Sequence, residues 1–307
     1  MVRVPFSAVH SGENQRVFAN WAAWKKDQPP PDAAALLVEI ENIHAPAQAE
    51  LDRVRARCLR YNMALIETGA PADKAGVRAF GRALGLERLD RNLCADGDGV
   101  TSLRVAGAGQ RGEYIPYSNQ PLNWHTDGYY NDLHHQIGAF ILYCVQNAAE
   151  GGENAVLDPE WIYLRMRERE PAWVEALHAP DAMTIPANVK DGRLLRPEQT
   201  GPVFLVSERH GSLHMRYTAR KRHVEWKNDT ATREAAAWLE ETMNGDVAPV
   251  VRLKLKPGQG LVSNNVLHNR AGFSDAPGRE RVVYRARYYD RVAGAGLADL
   301  PPNALTP

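Results

Sequence analysis

Cysteine is scarce in this chain: three residues, Cys58, Cys94 and Cys144, among 307. They are far apart and form no Cys-x-x-Cys pair, which argues against a disulfide framework and a thiolate metal site and leaves reduced, buried thiols as the expectation. Net charge is also missing, since 37 Lys+Arg balance 37 Asp+Glu. No global field therefore draws the molecule toward nucleic acid or an anionic membrane, and any charge-based function must be local. No apolar run approaches the roughly 18 to 20 residues that span a bilayer, and Met1 to Trp24 contains no hydrophobic stretch ending in a cleavage site. The expectation is a cytoplasmic chain acting on a small molecule, with neither nucleic acid nor membrane as partner. Internal repeats and low-complexity segments are absent as well. What remains, 44% hydrophobic and 24% charged, is a globular composition with enough apolar material for a large core.

Gln28-Pro29-Pro30-Pro31-Asp32 is a stiff extended stretch that no helix crosses, and Leu36 to Ile40 reads as a short strand after it. We therefore expect residues 1–45 to form an N-terminal extension and residues 46–307 the body. Leu51, Val54, Cys58 and Leu59 make one helical stripe, Met63 to Ile66 a strand, and Val77, Phe80 and Leu84 a second stripe. Further helices are expected after Asp158, from Pro171, and over Thr232 to Met243. The rest is strand-like. Val251, Leu253 and Leu255 alternate with charged residues, Pro257-Gly258 turns, Leu261 to His268 returns, and Arg281 to Tyr289 is a long β-branched and aromatic run. The fold class is mainly β, an antiparallel double sheet with flanking helices.

His125-Thr126-Asp127 places an imidazole and a carboxylate at i and i+2, on one face of an extended strand. That is half a metal site. His268, closing the apolar segment Ser263 to Leu267, offers the other half. Two histidines and one carboxylate on a triangular face leave three coordination positions open, which suits non-haem Fe(II) enzymes that activate dioxygen, although zinc accepts the same ligands. On the next strand Arg281, Val283, Arg285 and Arg287 share a face. Turned inward, such a face is costly unless it meets anions; turned outward, it is solvated. Periodicity alone does not choose. An iron enzyme using 2-oxoglutarate needs a cation for the distal carboxylate, and Arg281 is the candidate.

In this order His125-x-Asp127, Gly151-Gly152-Glu153-Asn154, Asn264-Asn265-x-x-His268 and Arg281-x-x-x-Arg285 resemble the taurine dioxygenase-type Fe(II)/2-oxoglutarate-dependent oxygenases, a family that includes gamma-butyrobetaine hydroxylase-like enzymes. The resemblance covers roughly residues 46 to 290. It implies a double-stranded β-helix (a clavaminate synthase-like jelly roll), Fe(II) held by His125, Asp127 and His268, and 2-oxoglutarate gripped by Arg281. It also implies O2 as co-reactant, release of succinate and CO2, a homo-oligomer, and hydroxylation of a small polar, anionic metabolite or cleavage at a heteroatom-bearing carbon. Arg285 matches an arginine that in taurine dioxygenase contacts the substrate anion. Where the family pattern has a threonine that helps hold 2-oxoglutarate, this chain has Asn154, whose amide can still donate.

Tyr129 and Tyr130, directly after Asp127, are expected as substrate walls or as core. Arg216, in the basic run Met215 to Arg222, is expected either to reach an anionic substrate or to lie on a solvated edge, and Asn119 is a further substrate candidate. Gly107-Ala-Gly109-Gln-Arg-Gly112 spells a nucleotide-binding pattern but opens no helix, so a loop is expected. His210 and His214 are expected to flank a turn, His134 and His135 to sit at the surface, and Trp124 to support its strand. A silent metal-binding jelly roll remains the competing reading.

Overall fold

A computed structural model describes residues 5–7, 12–27, 30–90, 96–107, 112, 114–220, 224–245 and 249–305. Cys94, most of the Gly107 to Gly112 loop and the end of the basic run, Lys221 and Arg222, lie outside them. Seven helices are present among these residues: α1 (Gly12–Lys26), α2 (Ala33–Leu36), α3 (Gln48–Tyr61), α4 (Lys74–Ala83), α5 (Pro159–Arg169), α6 (Pro171–His178) and α7 (Thr230–Asn244). Their starts are chemically marked. Asp73, Asp158 and Asp229 each accept a hydrogen bond from a backbone N–H of the first turn of α4, α5 and α7, satisfying donors that the helix leaves open.

The larger sheet runs, in spatial order, Leu37–Ile40, Met63–Thr68, Gln259–Ser263, Ala139–Gln146, Val282–Tyr288 and Thr101–Leu103. Only its first pair is parallel. The smaller sheet runs Val251–Leu253, Asn154–Leu157, Leu267–Arg270 and Leu122–His125, all antiparallel. Phe140, Leu142, Leu261 and Val283 of the larger sheet meet Val156, Leu253 and Val266 in one buried cluster between the sheets. On the outer face of the larger sheet Val54, Cys58, Val77 and Phe80 from α3 and α4 cover Ile66, Ile141, Val262 and Ala286. On the outer face of the smaller sheet residues of α1, α5, α6 and α7 cover Trp124, Ala155, Leu157 and Leu267. The expected jelly roll with external helices is what forms, and Cys58 and Cys144 are free and buried within it.

The alternation resolves the open question about the arginine strand. Val283 belongs to the inter-sheet cluster and Ala286 and Tyr288 to the outer one, so Arg285 and Arg287, in phase with Val283, point between the sheets. Arg281, Arg285 and Arg287 are all buried.

The boundary at residue 45 does not separate an appendage from the body. Helix α1, which the sequence reading did not anticipate, sends Trp21 into the cluster that contains Tyr163, and Leu37–Ile40 is an edge strand of the larger sheet. Lys25 of α1 is buried against Asp158 and Glu160 at 2.7 and 2.6 Å. The weak amphipathic pattern of α1 hid a helix whose fixing contacts are long-range. Among the described residues no helix is long and apolar enough to cross a membrane.

Candidate active site

His125 ends its strand directly opposite His268 in the register of the smaller sheet. Asp127 stands just beyond the strand rather than on it. Its backbone is held by Asn265, whose Oδ1 accepts from the Asp127 N–H at 2.8 Å and whose Nδ2 donates to the Asp127 and Ile137 carbonyls at 2.9 and 2.8 Å. Asn265 itself adopts φ 56°, a left-handed conformation that asparagine tolerates better than most residues. The next residue, Gly128, has φ 68°, and a Cβ there would meet Ile137 Cγ1 at 2.5 Å. Glycine lets the chain turn away immediately after the carboxylate.

The ligand atoms of His125, Asp127 and His268 lie within 4.8 Å of one another, and all three residues are buried. His125 Nε2 is 4.0 Å from Asp127 Oδ1. Each imidazole donates its Nδ1–H to a carbonyl two residues back, Asn123 at 2.8 Å and Val266 at 2.9 Å, which leaves Nε2 as the free lone pair. Burial and the neighbouring His268 push His125 down to about 3, and burial lowers His268 as well. Burial opposes ionisation of Asp127, but Arg285, Arg287 and the two imidazoles hold its carboxyl well below the usual range. At neutral pH the set is two neutral imidazoles and one carboxylate, with Asp127 Oδ2 buried and unpartnered among the described residues. This protonation state is the one a divalent cation requires, and the donor set fits Fe(II).

Arg281 enters from the start of the Val282–Tyr288 strand with its guanidinium 5.3 Å from the Phe273 ring. Its backbone N–H donates to Asp275, but its side chain forms no ion pair within 4.0 Å among the described residues. Gly151 and Gly152 both adopt left-handed backbone, φ 71° and 78°, and a Cβ on Gly151 would strike the Gly272 carbonyl at 2.3 Å, so glycine is what lets this turn form alongside Arg281. Asp275 acts on this guanidinium only from beyond ion-pair distance, and a buried guanidinium with no carboxylate in contact among the described residues fits the distal end of an oxoacid. Cys144 lies nearby, its thiol pushed up by burial to about 11 and hence inert.

Arg285 Nη1 and Arg287 Nη1 each lie 3.6 Å from Asp127 Oδ1, ion pairs rather than hydrogen bonds. Arg287 is further engaged by Asp90 and by the Tyr130 hydroxyl. Arg285 has no other carboxylate among the described residues, and its Nε is buried without a partner. Tyr129 and Tyr130 pack edge to face at 5.1 Å, with the Tyr129 ring 6.4 Å from that of His125. Burial raises the Tyr129 hydroxyl, which bonds Thr218 and Arg220.

Two expected substrate residues stand elsewhere. Arg216 is fully buried, and its guanidinium donates to the carbonyls of Tyr129, Pro202, Met183 and Gln199. Its donors are spent on the backbone, so it is a strut under the Tyr129 turn and not an anion receptor. Asn119 is exposed, and its amide oxygen accepts from Gln120. Asn154 faces Arg270 in register and donates one amide hydrogen to the Asn269 carbonyl, a sheet contact that competes with any role toward 2-oxoglutarate. His210 and His214 flank the Gly211-Ser212 turn, and His134 and His135 are exposed. From sequence Asn265 stood only as part of the Asn264-Asn265-x-x-His268 motif, with no role assigned, and neither Asp90 nor the partnering of Arg287 was singled out. The Asn264-Asn265 pair was the one available signal, whereas nothing local to Asp90 marks it.

A jelly roll with two imidazoles and a carboxylate on one side of a buried cation defines a mononuclear non-haem metal oxygenase architecture. The family model "Taurine catabolism dioxygenase TauD, TfdA family" matches residues 27–287, and the chain belongs to that family. Among curated proteins it is similar to a uridine-5'-phosphate dioxygenase of an Amycolatopsis species, 31% identical over 178 residues that cover 54% of this chain and 60% of that protein. A uridine-5'-phosphate dioxygenase of a Streptomyces species is 27% identical over 203 residues, 63% of this chain and 71% of that one. The match thus spans less than two thirds of the Amycolatopsis protein. Among solved structures, asparagine oxygenase with Fe(II), 3-hydroxyasparagine and succinate superposes with TM-score 0.52 at 17% identity, covering 91% of this chain and 92% of that one. The non-haem iron oxygenase OrfP with Fe and alpha-ketoglutaric acid gives TM-score 0.58 at 16% identity with the same coverage. At such identities the likeness concerns the fold.

Proposed function

We propose that this protein is an Fe(II)- and 2-oxoglutarate-dependent dioxygenase whose primary substrate is a small anion, a nucleoside 5'-monophosphate. His125, Asp127 and His268 would hold the metal and Arg281 the distal carboxylate of 2-oxoglutarate. Bound there, these groups supply O2-driven oxidation of a substrate C–H bond with release of succinate and CO2.

The observation that carries the anionic substrate is Arg285. Arg287 is neutralised by Asp90 and Arg281 is matched to the oxoacid, which leaves Arg285 as a buried cation whose one carboxylate neighbour among the described residues is a metal ligand. A buried charge without its own partner is costly, and an arriving anion relieves that cost beside the metal. The half-buried Tyr129, beside His125, and Tyr130, bonded to Arg287, border the same site and would serve as aromatic walls for a nucleobase or sugar. The uridine-5'-phosphate dioxygenases among the similar proteins support the nucleotide as that anion. The chain's own work is positional: it grips the anion, excludes water with the two tyrosines and keeps one metal position open.

The test is incubation with Fe(II), ascorbate, 2-oxoglutarate and either uridine 5'-monophosphate or uridine, reading succinate, substrate mass and free phosphate. Succinate above the substrate-free rate with the monophosphate alone is expected. Free phosphate would mark oxidation at the ester-bearing carbon, and gain of one oxygen a stable alcohol. Equal turnover of uridine would overturn the anion assignment. No succinate under any condition would indicate a silent jelly roll.

A further inference from the structure

Arg287 is held differently from Arg285, although both reach Asp127 Oδ1 at the same distance. Its side chain is 3% exposed and is gripped on several sides. Asp90 pairs with Nη2, the Tyr130 hydroxyl accepts from Nη1 at 3.1 Å, and Asp127 Oδ1 lies 3.6 Å from that same nitrogen. Asp90 is itself fixed. Tyr289 donates its hydroxyl hydrogen to Asp90 Oδ1 at 2.8 Å, and the Asp90 N–H donates to the Arg287 carbonyl at 2.8 Å. The guanidinium is thus held by three side chains from two chain segments, Asp90 on one and Asp127 and Tyr130 on the other, with Nη1 turned to the carboxylate of the triad.

We propose that Arg287, neutralised by Asp90, is a positioning residue for Asp127, fixing the carboxylate that would ligate the metal while leaving Arg285 free for the substrate anion. The proposal rests on the triad being the metal site. Arginine suits this task because its rigid planar fork meets two carboxylates and a phenol at once, which a lysine ammonium on a flexible stem does not. Asp90 matters for charge. Arg285 already places one cation 3.6 Å from Asp127, and the Asp90–Arg287 pair gives orientation without adding a second unbalanced charge beside a divalent metal. Tyr130 ties the same guanidinium to the wall of the substrate space.

The experiment is a titration of metal-free protein with Co(II), read by visible absorption, with melting temperature measured alongside. Wild type is expected to bind one equivalent; failure to do so would refute the metal site itself. Arg287→Lys and the double variant Arg287→Gln with Asp90→Asn both preserve net charge, so loss of affinity in them reports orientation rather than Coulomb repulsion. Each is expected to bind Co(II) about 10- to 100-fold more weakly, as for other groups that orient metal ligands. Their Co(II) absorption is also expected to differ from wild type. Should the double variant fail to fold, Arg287→Lys, which changes volume little, carries the test. Co(II) affinity within about twofold of wild type together with an unchanged spectrum, even with a lowered melting temperature, would make Arg287 a structural residue and overturn the proposal.

Discussion

Arg285 and Asp127 reach each other from opposite sheets. The guanidinium projects from Val282–Tyr288 of the larger sheet and the carboxylate follows Leu122–His125 of the smaller one, with Nη1 and Oδ1 3.6 Å apart. This contact joins the metal side of the site to the substrate side. Arg285→Gln is predicted to raise the KM for an anionic substrate by about 30-fold or more, the cost of truncating one partner of a buried charge pair. The slow succinate release expected without substrate should persist. Steady-state kinetics with and without the anion separate the two effects.

Arg281→Leu acts at a different point. Its guanidinium, stacked near Phe273 and without an ion-pair partner among the described residues, is the matched cation for the oxoacid. We expect the 2-oxoglutarate requirement to rise by about 100-fold or more, with metal binding retained. An unchanged requirement would move this role to another cation, Arg270 being the adjacent one.

Stability should fall in mild acid. Burial pushes His125 down to about 3 and His214 to about 4, each from an ordinary 6.5. The unfolded chain therefore binds more protons than the folded one below pH 6.5, and folded stability is full above that pH and is lost as pH falls toward 4. The slope is about 1.4 kcal/mol per pH unit for each histidine. From these two histidines, urea unfolding of metal-free protein at pH 7, 6 and 5 should show a loss of about 1.4 kcal/mol in the first step and about 2.4 kcal/mol in the second. A flat profile would contradict the burial of these imidazoles as neutral groups.

The N-terminal helix should be required for folding. Lys25 is buried between Asp158 and Glu160, and Lys25→Met leaves two carboxylates without their cation. A loss of about 3 to 5 kcal/mol is expected, measurable by urea or thermal unfolding. Removal of residues 1–45 should abolish folding outright, since it deletes Trp21 from the helical core and the edge strand Leu37–Ile40.

The legible parts of this chain were those where local pattern and chemistry coincide. His125, Asp127 and His268 were readable because few residue types ligate metal and the two segments carry them at strand ends. The arginine strand was readable as a face but not as an inward one, because burial depends on what packs against Ala286 and Tyr288 from the other side. Helix α1 was missed because Lys25, the residue that fixes it, looks like a surface lysine until Asp158 and Glu160 arrive from far along the chain. Arg216 was over-read for the opposite reason. A basic run suggests an anion, whereas the fold spends this guanidinium on four backbone carbonyls.

The central claim is that three remote side chains share one ferrous ion. Iron stoichiometry after anaerobic reconstitution, compared between wild type, His125→Ala and His268→Ala, tests it most directly. One equivalent is expected in the wild type and essentially none in either folded variant; a full equivalent retained by either variant would place the ion elsewhere.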